Sequence, residues 1–134
     1  MKIFVDTSGW FNLLHVREPE HHHSVELYQS SSIRITTNYI LTELVALANS
    51  RNIPRKYAQE FIRRVEKDKS VKIIWIDEET HEKAMHLLES RLDKSYSLCD
   101  AVSFVVMREN DVTDALTTDR HFRQEGFARL LEEE

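Results

Sequence analysis

Four acidic residues are spaced so that they could meet at one edge of a folded sheet: Asp6, Glu43, Asp100 and Asp119. Two of them end apolar, strand-like runs, and two begin or line helix-like stretches. Carboxylates that lie close together repel one another unless cations lie between them. Oxygen ligands without His or Cys favour a hard divalent ion, Mg²⁺ or Mn²⁺. Such a cluster suits metal-assisted hydrolysis of a phosphodiester bond.

Each of these acids also has a purely structural explanation that the sequence leaves open. Asp6 and Asp119 each precede a predicted helix, so either could serve only as an N-cap. Asp100 follows Ser97 by three residues, which is the spacing of a capping box. Glu43 shares a helix face with apolar residues, so it is either buried with a partner or reaches solvent from the edge of that face.

The elements that must position these acids follow from the pattern of apolar residues. Short apolar runs predict strands at residues 3–5, 33–36, 71–76, 114–118 and 127–131. Amphipathic stretches predict helices at residues 10–14, 21–31, 39–50, 54–68, 77–91, 98–108 and 120–125. Strands that alternate with helices predict an α/β fold, with a mostly parallel sheet of about five strands covered on both faces. We expect residues 1–134 to form a single domain.

The composition restricts the classes of function that the chain can have. Its formal net charge is −5, so binding to a nucleic acid requires bound cations or a local basic patch. Its two glycines, Gly9 and Gly126, are too few for a Walker loop or a Rossmann fingerprint. The single cysteine excludes an internal disulfide, and no stretch has the pattern of a signal peptide or membrane span. We therefore expect a cytoplasmic protein.

Four stretches carry a resemblance to a known family: FVDTSGW, TNYILTELVAL, SYSLCDAVSFVVM and ALTTDRHFRQEGF. In order and spacing the chain resembles the PIN-domain ribonucleases, and among these the VapC-type toxins of toxin–antitoxin pairs. The resemblance implies a three-layer α/β/α sandwich with strand order 3-2-1-4-5. It also implies that Asp6, Glu43, Asp100 and Asp119 are catalytic and surround one or two Mg²⁺ or Mn²⁺ ions. The implied reaction is endonucleolytic hydrolysis of single-stranded or structured RNA by metal-activated water.

The same resemblance implies two protein partners, namely a second copy of the chain in a homodimer and a small antitoxin. Two other functions remain open: a PIN domain in RNA processing without a toxin role, and a non-catalytic module that binds RNA or protein. Phosphoacceptor receivers and haloacid-dehalogenase-type phosphatases do not fit. Both need further acids after the first strand, where this chain has only Asp6, with Ser8 in the position of a second acid.

Other residues with reactive or aromatic side chains have simpler explanations. The histidines at residues 21–23 are consecutive on a predicted helix and point in different directions, so we expect them to be solvated. His121 is either solvated or meets an RNA phosphate. Cys99, Trp10 and Trp75 are expected in the core. A basic strip on or beside one helix could guide RNA: Arg51, Arg55, Lys56, Arg63, Arg64 and Lys67.

Overall fold

The computed structural model of the chain describes residues 1–131. These residues form one sheet of five strands: β1 (Lys2–Val5), β2 (Ile33–Thr37), β3 (Val71–Ile74), β4 (Asp114–Leu116) and β5 (Ala128–Arg129). The helices within the same residues are α1 (Thr7–Leu14), α2 (His21–Ser30), α3 (Asn38–Ser50), α4 (Arg55–Lys67), α5 (Glu78–Glu89), α6 (Leu98–Glu109) and α7 (Arg120–Gln124). Every predicted element is present, although α1 begins earlier than predicted and β3, β4 and β5 are shorter. No helix in this part of the chain is long and apolar enough to cross a membrane.

The strand order is β3-β2-β1-β4-β5, and all neighbouring strands are parallel. The predicted fold class and strand order are therefore confirmed. β1 lies at the centre, and its Ile3, Phe4 and Val5 are fully buried, as expected for a strand covered on both faces. The chain leaves β1 towards β2 but leaves β4 towards β5. The switch point of the sheet thus lies between β1 and β4, which is where α/β proteins bind their ligands.

The helices form two groups that cover the faces of the sheet. α1 packs against α2 and α3, and α3 packs against α4; in the second group α6 packs against α5 and α7. Phe104 of α6 lies between Phe122 of α7 and Phe127, with ring centroids 5.0 and 5.6 Å away. This aromatic packing fixes α6 relative to α7. Asp100 lies in the first turn of α6, and Asp119 caps α7.

Gly9 allows α1 to approach β4 closely. A Cβ atom at position 9 would lie only 2.2 Å from the carbonyl oxygen of Leu116. The same oxygen accepts a hydrogen bond from the backbone N–H of Asp6 at 3.2 Å. The first turn of α1 and the end of β4 are therefore in direct contact at the switch point.

The expectation that both tryptophans lie in the core is half correct. Trp10 is 1% exposed and its indole N–H donates to Thr36 Oγ1 at 3.0 Å, whereas Trp75 is 67% exposed. The apolar run continues beyond Ile74, where β3 ends. Because β3 is an edge strand, a residue just past its end has a neighbouring strand on one side at most, and Trp75 remains in solvent.

Candidate active site

Asp6 lies at the carboxyl end of β1 and is 5% exposed. Thr117, which follows β4, donates a hydrogen bond to Asp6 Oδ2 at 2.7 Å. The pKa of Asp6 is raised from 3.8 to about 7. Burial is the largest cause and the charges of Asp100 and Asp119 add to it, while the Thr117 hydrogen bond and the Thr7 backbone oppose the shift. Asp6 makes no side-chain N-cap bond to α1, so capping does not explain its presence.

Asp100 and Asp119 meet at the imidazole ring of His121. His121 Nδ1 lies 2.9 Å from Asp100 Oδ2 and 3.3 Å from Asp119 Oδ1. Burial raises the pKa of Asp100, as does the charge of Asp119, while Ser97 and His121 oppose the shift. Asp6, Asp100 and Asp119 therefore share one electrostatic environment.

The structural and functional explanations of two acids turn out to be compatible. Ser97 and Asp100 form a reciprocal capping box at the start of α6. Asp119 caps α7 by accepting the backbone N–H of His121 at 2.9 Å. These caps hold the carboxylates in fixed orientations, so capping helps to build the cluster.

Glu43 is exposed on α3 and borders the other acids. This position corresponds to the edge of the apolar helix face, one of the two explanations that the sequence left open. The hydroxyl of Thr7 donates to Glu43 Oε1 at 2.7 Å, and Thr7 is the neighbour of Asp6. Glu43, Asp6 and Asp119 line the same surface depression of about 450 Å³.

Two further depressions adjoin the one that these acids line. The central depression shares lining residues with one neighbour that reaches Arg51, and with another that reaches Tyr39. These three adjoining depressions are together called the groove. A separate pocket between α1, α2 and α4 is lined by none of the four acids.

His121 has a role that the sequence did not suggest. Its side chain is 19% exposed, its Nδ1 faces the two carboxylates, and its Nε2 lies 3.1 Å from Ser95 Oγ. It is thus neither a solvated surface residue nor directed outwards to a phosphate. The signal in the sequence was its position two residues after a strand-end acid, in the first turn of the helix that this acid caps.

The remaining candidates lie apart from the acid cluster or are unreactive. His21 contacts the carbonyl oxygen of Asn12, whereas His22 and His23 pair with separate glutamates. Burial, and next the charge of Glu43, raises the pKa of the Cys99 thiol, so it is a poor nucleophile. All six residues of the basic strip are exposed. Within residues 1–131 one group of His, Cys, Asp and Glu is compact enough to bind a metal: Asp100, Asp119 and His121.

A family model of the PIN domain matches residues 3–127, which is most of the chain. The chain belongs to the PIN-domain family. This PIN domain is 30% identical over 132 residues to the 23S rRNA-specific endonuclease VapC20 of Mycobacterium tuberculosis, covering 98% of this chain and 99% of that protein. It is 27% identical over 115 residues to a VapC ribonuclease of Archaeoglobus fulgidus, covering 81% and 72% of the two chains. The predicted family and enzyme class, a VapC-type ribonuclease, are confirmed.

Solved structures share the fold of this PIN domain. The crystal structure of M. tuberculosis VapC20, described as a sarcin–ricin loop cleaving toxin, has a TM-score of 0.86 at 28% identity and covers 94% of this chain and 96% of that one. A toxin–antitoxin complex from Klebsiella pneumoniae has a TM-score of 0.67 at 14% identity, covering 98% and 99%. VapBC2 from Rickettsia felis, bound to promoter DNA, has a TM-score of 0.66 at 13% identity, covering 96% of each chain. The last two establish similarity of fold alone.

Proposed function

We propose that this PIN domain is an endoribonuclease that depends on Mg²⁺ or Mn²⁺, and that it is the toxin of a toxin–antitoxin pair. The observation that carries the proposal is the meeting of Asp6, Asp100 and Asp119 at the switch point, beside Glu43 in the groove. The four carboxylates are proposed as the catalytic residues, and residues 1–134 as one catalytic domain.

The chemistry of the donor set fits a hard divalent ion. Carboxylate oxygens are the preferred ligands of Mg²⁺ and Mn²⁺. The pKa of Asp6 and that of Asp100 are raised by burial and by neighbouring negative charge, and a cation held between the acids would relieve that repulsion. We propose that Asp6, Glu43, Asp100 and Asp119 hold the ion. An ion of this kind stabilises charge on a reacting phosphate and lowers the pKa of water.

Neighbouring hydroxyl groups orient these carboxylates. Thr117 donates to Asp6, and its oxygen accepts the backbone N–H of Asp119 at 3.0 Å, so one side chain links two acids. Thr7 orients Glu43 in the same way from the first turn of α1. Positioning of this kind supports catalysis because the acids need not reorganise when the substrate arrives.

RNA is the proposed substrate, either single-stranded or as the loop of a structured RNA. The groove extends from the acid-lined depression towards Arg51 in one direction and towards Tyr39 in another, which supports an extended ligand. Arg51 borders the groove and belongs to the exposed basic strip, which is the proposed source of the positive charge that a chain of net charge −5 needs for this purpose. The relative VapC20 is described as cleaving the sarcin–ricin loop, so that hairpin is the first RNA to test.

We further propose a cytoplasmic homodimer that a small antitoxin inhibits. The support for an antitoxin is the description of the relative VapC20 as a toxin, since a cell that makes a toxic ribonuclease needs a means to neutralise it. The homodimer and the cytoplasmic location are carried over from the resemblance to the VapC-type toxins. Light scattering of the purified protein tests the dimer. Co-expression with the product of any small adjacent open reading frame tests the antitoxin, with restored growth as the expected result.

The catalytic proposal is tested by incubating the pure protein with the sarcin–ricin hairpin and with unstructured RNA in Mg²⁺ or Mn²⁺. Wild type is expected to cut at defined positions, and Asp6→Asn and Asp100→Asn are expected to be inactive. Asp114→Asn is the matched control, because Asp114 begins β4 and so lies at the opposite edge of the sheet. Equal cleavage by wild type and by Asp6→Asn would contradict the proposal. Absence of cleavage with every divalent ion, together with no Mn²⁺ binding by calorimetry, would favour a non-catalytic PIN module.

A further inference from the structure

His121 brings a nitrogen atom to the same point as two of the acids. Its Nδ1 lies 2.9 Å from Asp100 Oδ2 and 3.3 Å from Asp119 Oδ1. A ligand atom of Asp100, one of Asp119 and one of His121 all lie within 4.8 Å of one another. Adjacent ligands of a six-coordinate ion with bonds of about 2.1 Å are roughly 3 Å apart. The nitrogen therefore lies at a distance typical of a neighbouring ligand.

We propose that His121 Nδ1 is a metal ligand together with Asp100 and Asp119, and that the site consequently binds Mn²⁺ in preference to Mg²⁺. Mg²⁺ selects oxygen ligands, whereas an imidazole nitrogen favours a transition ion. The inference rests on the proposed metal-dependent function, and it adds a ligand and an ion preference that four carboxylates alone do not provide.

The surroundings of the imidazole ring support this assignment. A metal-binding histidine generally has its other nitrogen held by a second polar group, and His121 Nε2 lies 3.1 Å from Ser95 Oγ. Tyr96 packs edge-on against the ring with centroids 5.3 Å apart. The Tyr96 hydroxyl in turn donates to the buried Glu125 at 3.0 Å. The ring is thus held from the side opposite the acids, with Nδ1 directed towards them.

The same contacts fit one rival role, in which a protonated His121 only balances the charge of Asp100. The two roles predict opposite results when the ring is removed. Loss of a ligand weakens Mn²⁺ binding, whereas loss of a competing positive charge strengthens the binding of both Mn²⁺ and Mg²⁺.

The experiment is pulsed electron paramagnetic resonance of the full chain with less than one equivalent of Mn²⁺, read for modulation by a directly bound ¹⁴N nucleus. Wild type is expected to show the nitrogen signal, and His121→Asn to lose it. Asn retains an amide that can donate to Asp100. The matched control is His81→Asn, because His81 is also half-buried and hydrogen-bonded through Nδ1, to Tyr39 at 2.8 Å. This control is expected to keep the signal.

Affinities measured by calorimetry complete the test. His121→Asn is expected to weaken Mn²⁺ binding by at least about tenfold and Mg²⁺ binding by less than about threefold. Mn²⁺ bound to wild type without a nitrogen signal, or tighter binding of both ions by His121→Asn, would overturn the inference while the proposed function stands. Failure of folded wild type to bind Mn²⁺ at all would overturn both. If His121→Asn does not fold, the nitrogen signal of wild type and the ion affinities of His121→Gln test the inference instead.

Discussion

Two neighbouring carboxylate sites in this PIN domain satisfy their charge in opposite ways. Glu125, whose side chain is 4% exposed, accepts hydrogen bonds from Arg91 at 3.1 Å, Arg108 at 2.8 Å and the Tyr96 hydroxyl at 3.0 Å. Burial alone would raise the pKa of Glu125, but the bonds from Arg91 and Arg108 lower it overall. Glu125 is thus an acid that the fold keeps ionised with its own cations.

Of the proposed catalytic acids, Asp6 and Asp100 are buried without such arginine partners. The basic group that the structure places in contact with Asp100 and Asp119 is His121, and the pKa of Asp6 is raised to about 7. Tyr96 contacts both sites, with its hydroxyl on Glu125 and its ring on His121. The two sites therefore differ in the number of positively charged side chains that contact each carboxylate. A carboxylate paired with arginines stabilises the fold, whereas buried carboxylates without them are suited to binding a metal ion.

The largest expected contrast is in catalysis. Asp6→Asn is expected to lower cleavage about a thousandfold, because charge stabilisation by a metal ion is worth several kcal/mol. Glu125→Gln is expected to retain most of the activity, since the Glu125 side chain contacts the Tyr96 hydroxyl and none of the proposed catalytic acids. Initial rates of hairpin cleavage at saturating Mn²⁺ measure both. Comparable losses in the two variants would erase the distinction between the sites.

The second contrast is in the pH dependence of stability without added metal. The pKa of Asp6 is about 7 in the folded state and 3.8 as an ordinary carboxyl, so the folded state holds the extra proton between these values. Wild-type stability should therefore fall as pH rises from about 4 to about 7. Asp6→Asn should remove much of this decrease and be more stable than wild type at pH 8, on the order of 2 kcal/mol.

Urea denaturation at pH 5 and pH 8, in the presence of a chelator, measures this effect. Asp114→Asn serves again as the control and should keep the wild-type pH dependence. A lower stability of Asp6→Asn than of wild type at pH 8 would show that burial does not penalise the Asp6 charge.

Glu125 should behave with the opposite sign. Glu125→Gln is expected to lose about 2 kcal/mol of stability at pH 7, which is less than the roughly 3–5 kcal/mol of a broken, fully buried pair because Arg91 and Arg108 are 38% and 46% exposed. Since the folded pKa of Glu125 lies below its ordinary value, this contribution is present at neutral pH and is lost as pH falls through the folded pKa.

The control for Glu125 is Glu109→Gln, which breaks an exposed ion pair with Lys83 and should cost less than about 1 kcal/mol. Thermal melts at pH 7 and pH 4 compare the two variants. Equal destabilisation by both variants at pH 7 would mean that Glu125 and its arginines stabilise the fold no more than an exposed ion pair does.

The smallest expected effect concerns Thr117. Thr117→Val removes the hydroxyl that donates to Asp6 and accepts the Asp119 N–H, at a cost of about 1 kcal/mol. It should also raise the pKa of Asp6 further, because a hydrogen bond to the charged form is lost. The interval over which stability falls should then extend to higher pH, since its upper end is the folded pKa of Asp6. Thr113→Val, at an exposed position, should leave that interval unchanged.

The α/β class could be predicted because short apolar runs alternate with amphipathic stretches along the chain, whereas the strand order came from the family resemblance. The proximity of Asp6 and Asp119 follows from parallel strands that end at the same edge. Their catalytic role stays a prediction, as does that of Glu43 and Asp100. Exposure of Trp75 was missed because an apolar run does not reveal where an edge strand ends.

The role of His121 was missed for a different reason. Its contact with Asp100 joins residues that are 21 positions apart, and it depends on how α6 packs against α7. Periodicity within a single element contains no information about such a contact. The same holds for the Tyr96 ring and for Glu125, whose partners come from α6 and from the segment that follows α5.

Gly9 sets how closely α1 can approach the end of β4. A methyl group there would collide with the Leu116 carbonyl, and this carbonyl also holds the backbone of Asp6. Relief of the clash by widening the gap between α1 and β4 would move Asp6 away from Asp119, which follows β4. A misplacement of about 1 Å can cost roughly a hundredfold in rate. Gly9 has no functional group, yet it sets the spacing between the acids of the proposed nuclease site. Even the addition of one methyl group at this position is therefore expected to impair the site.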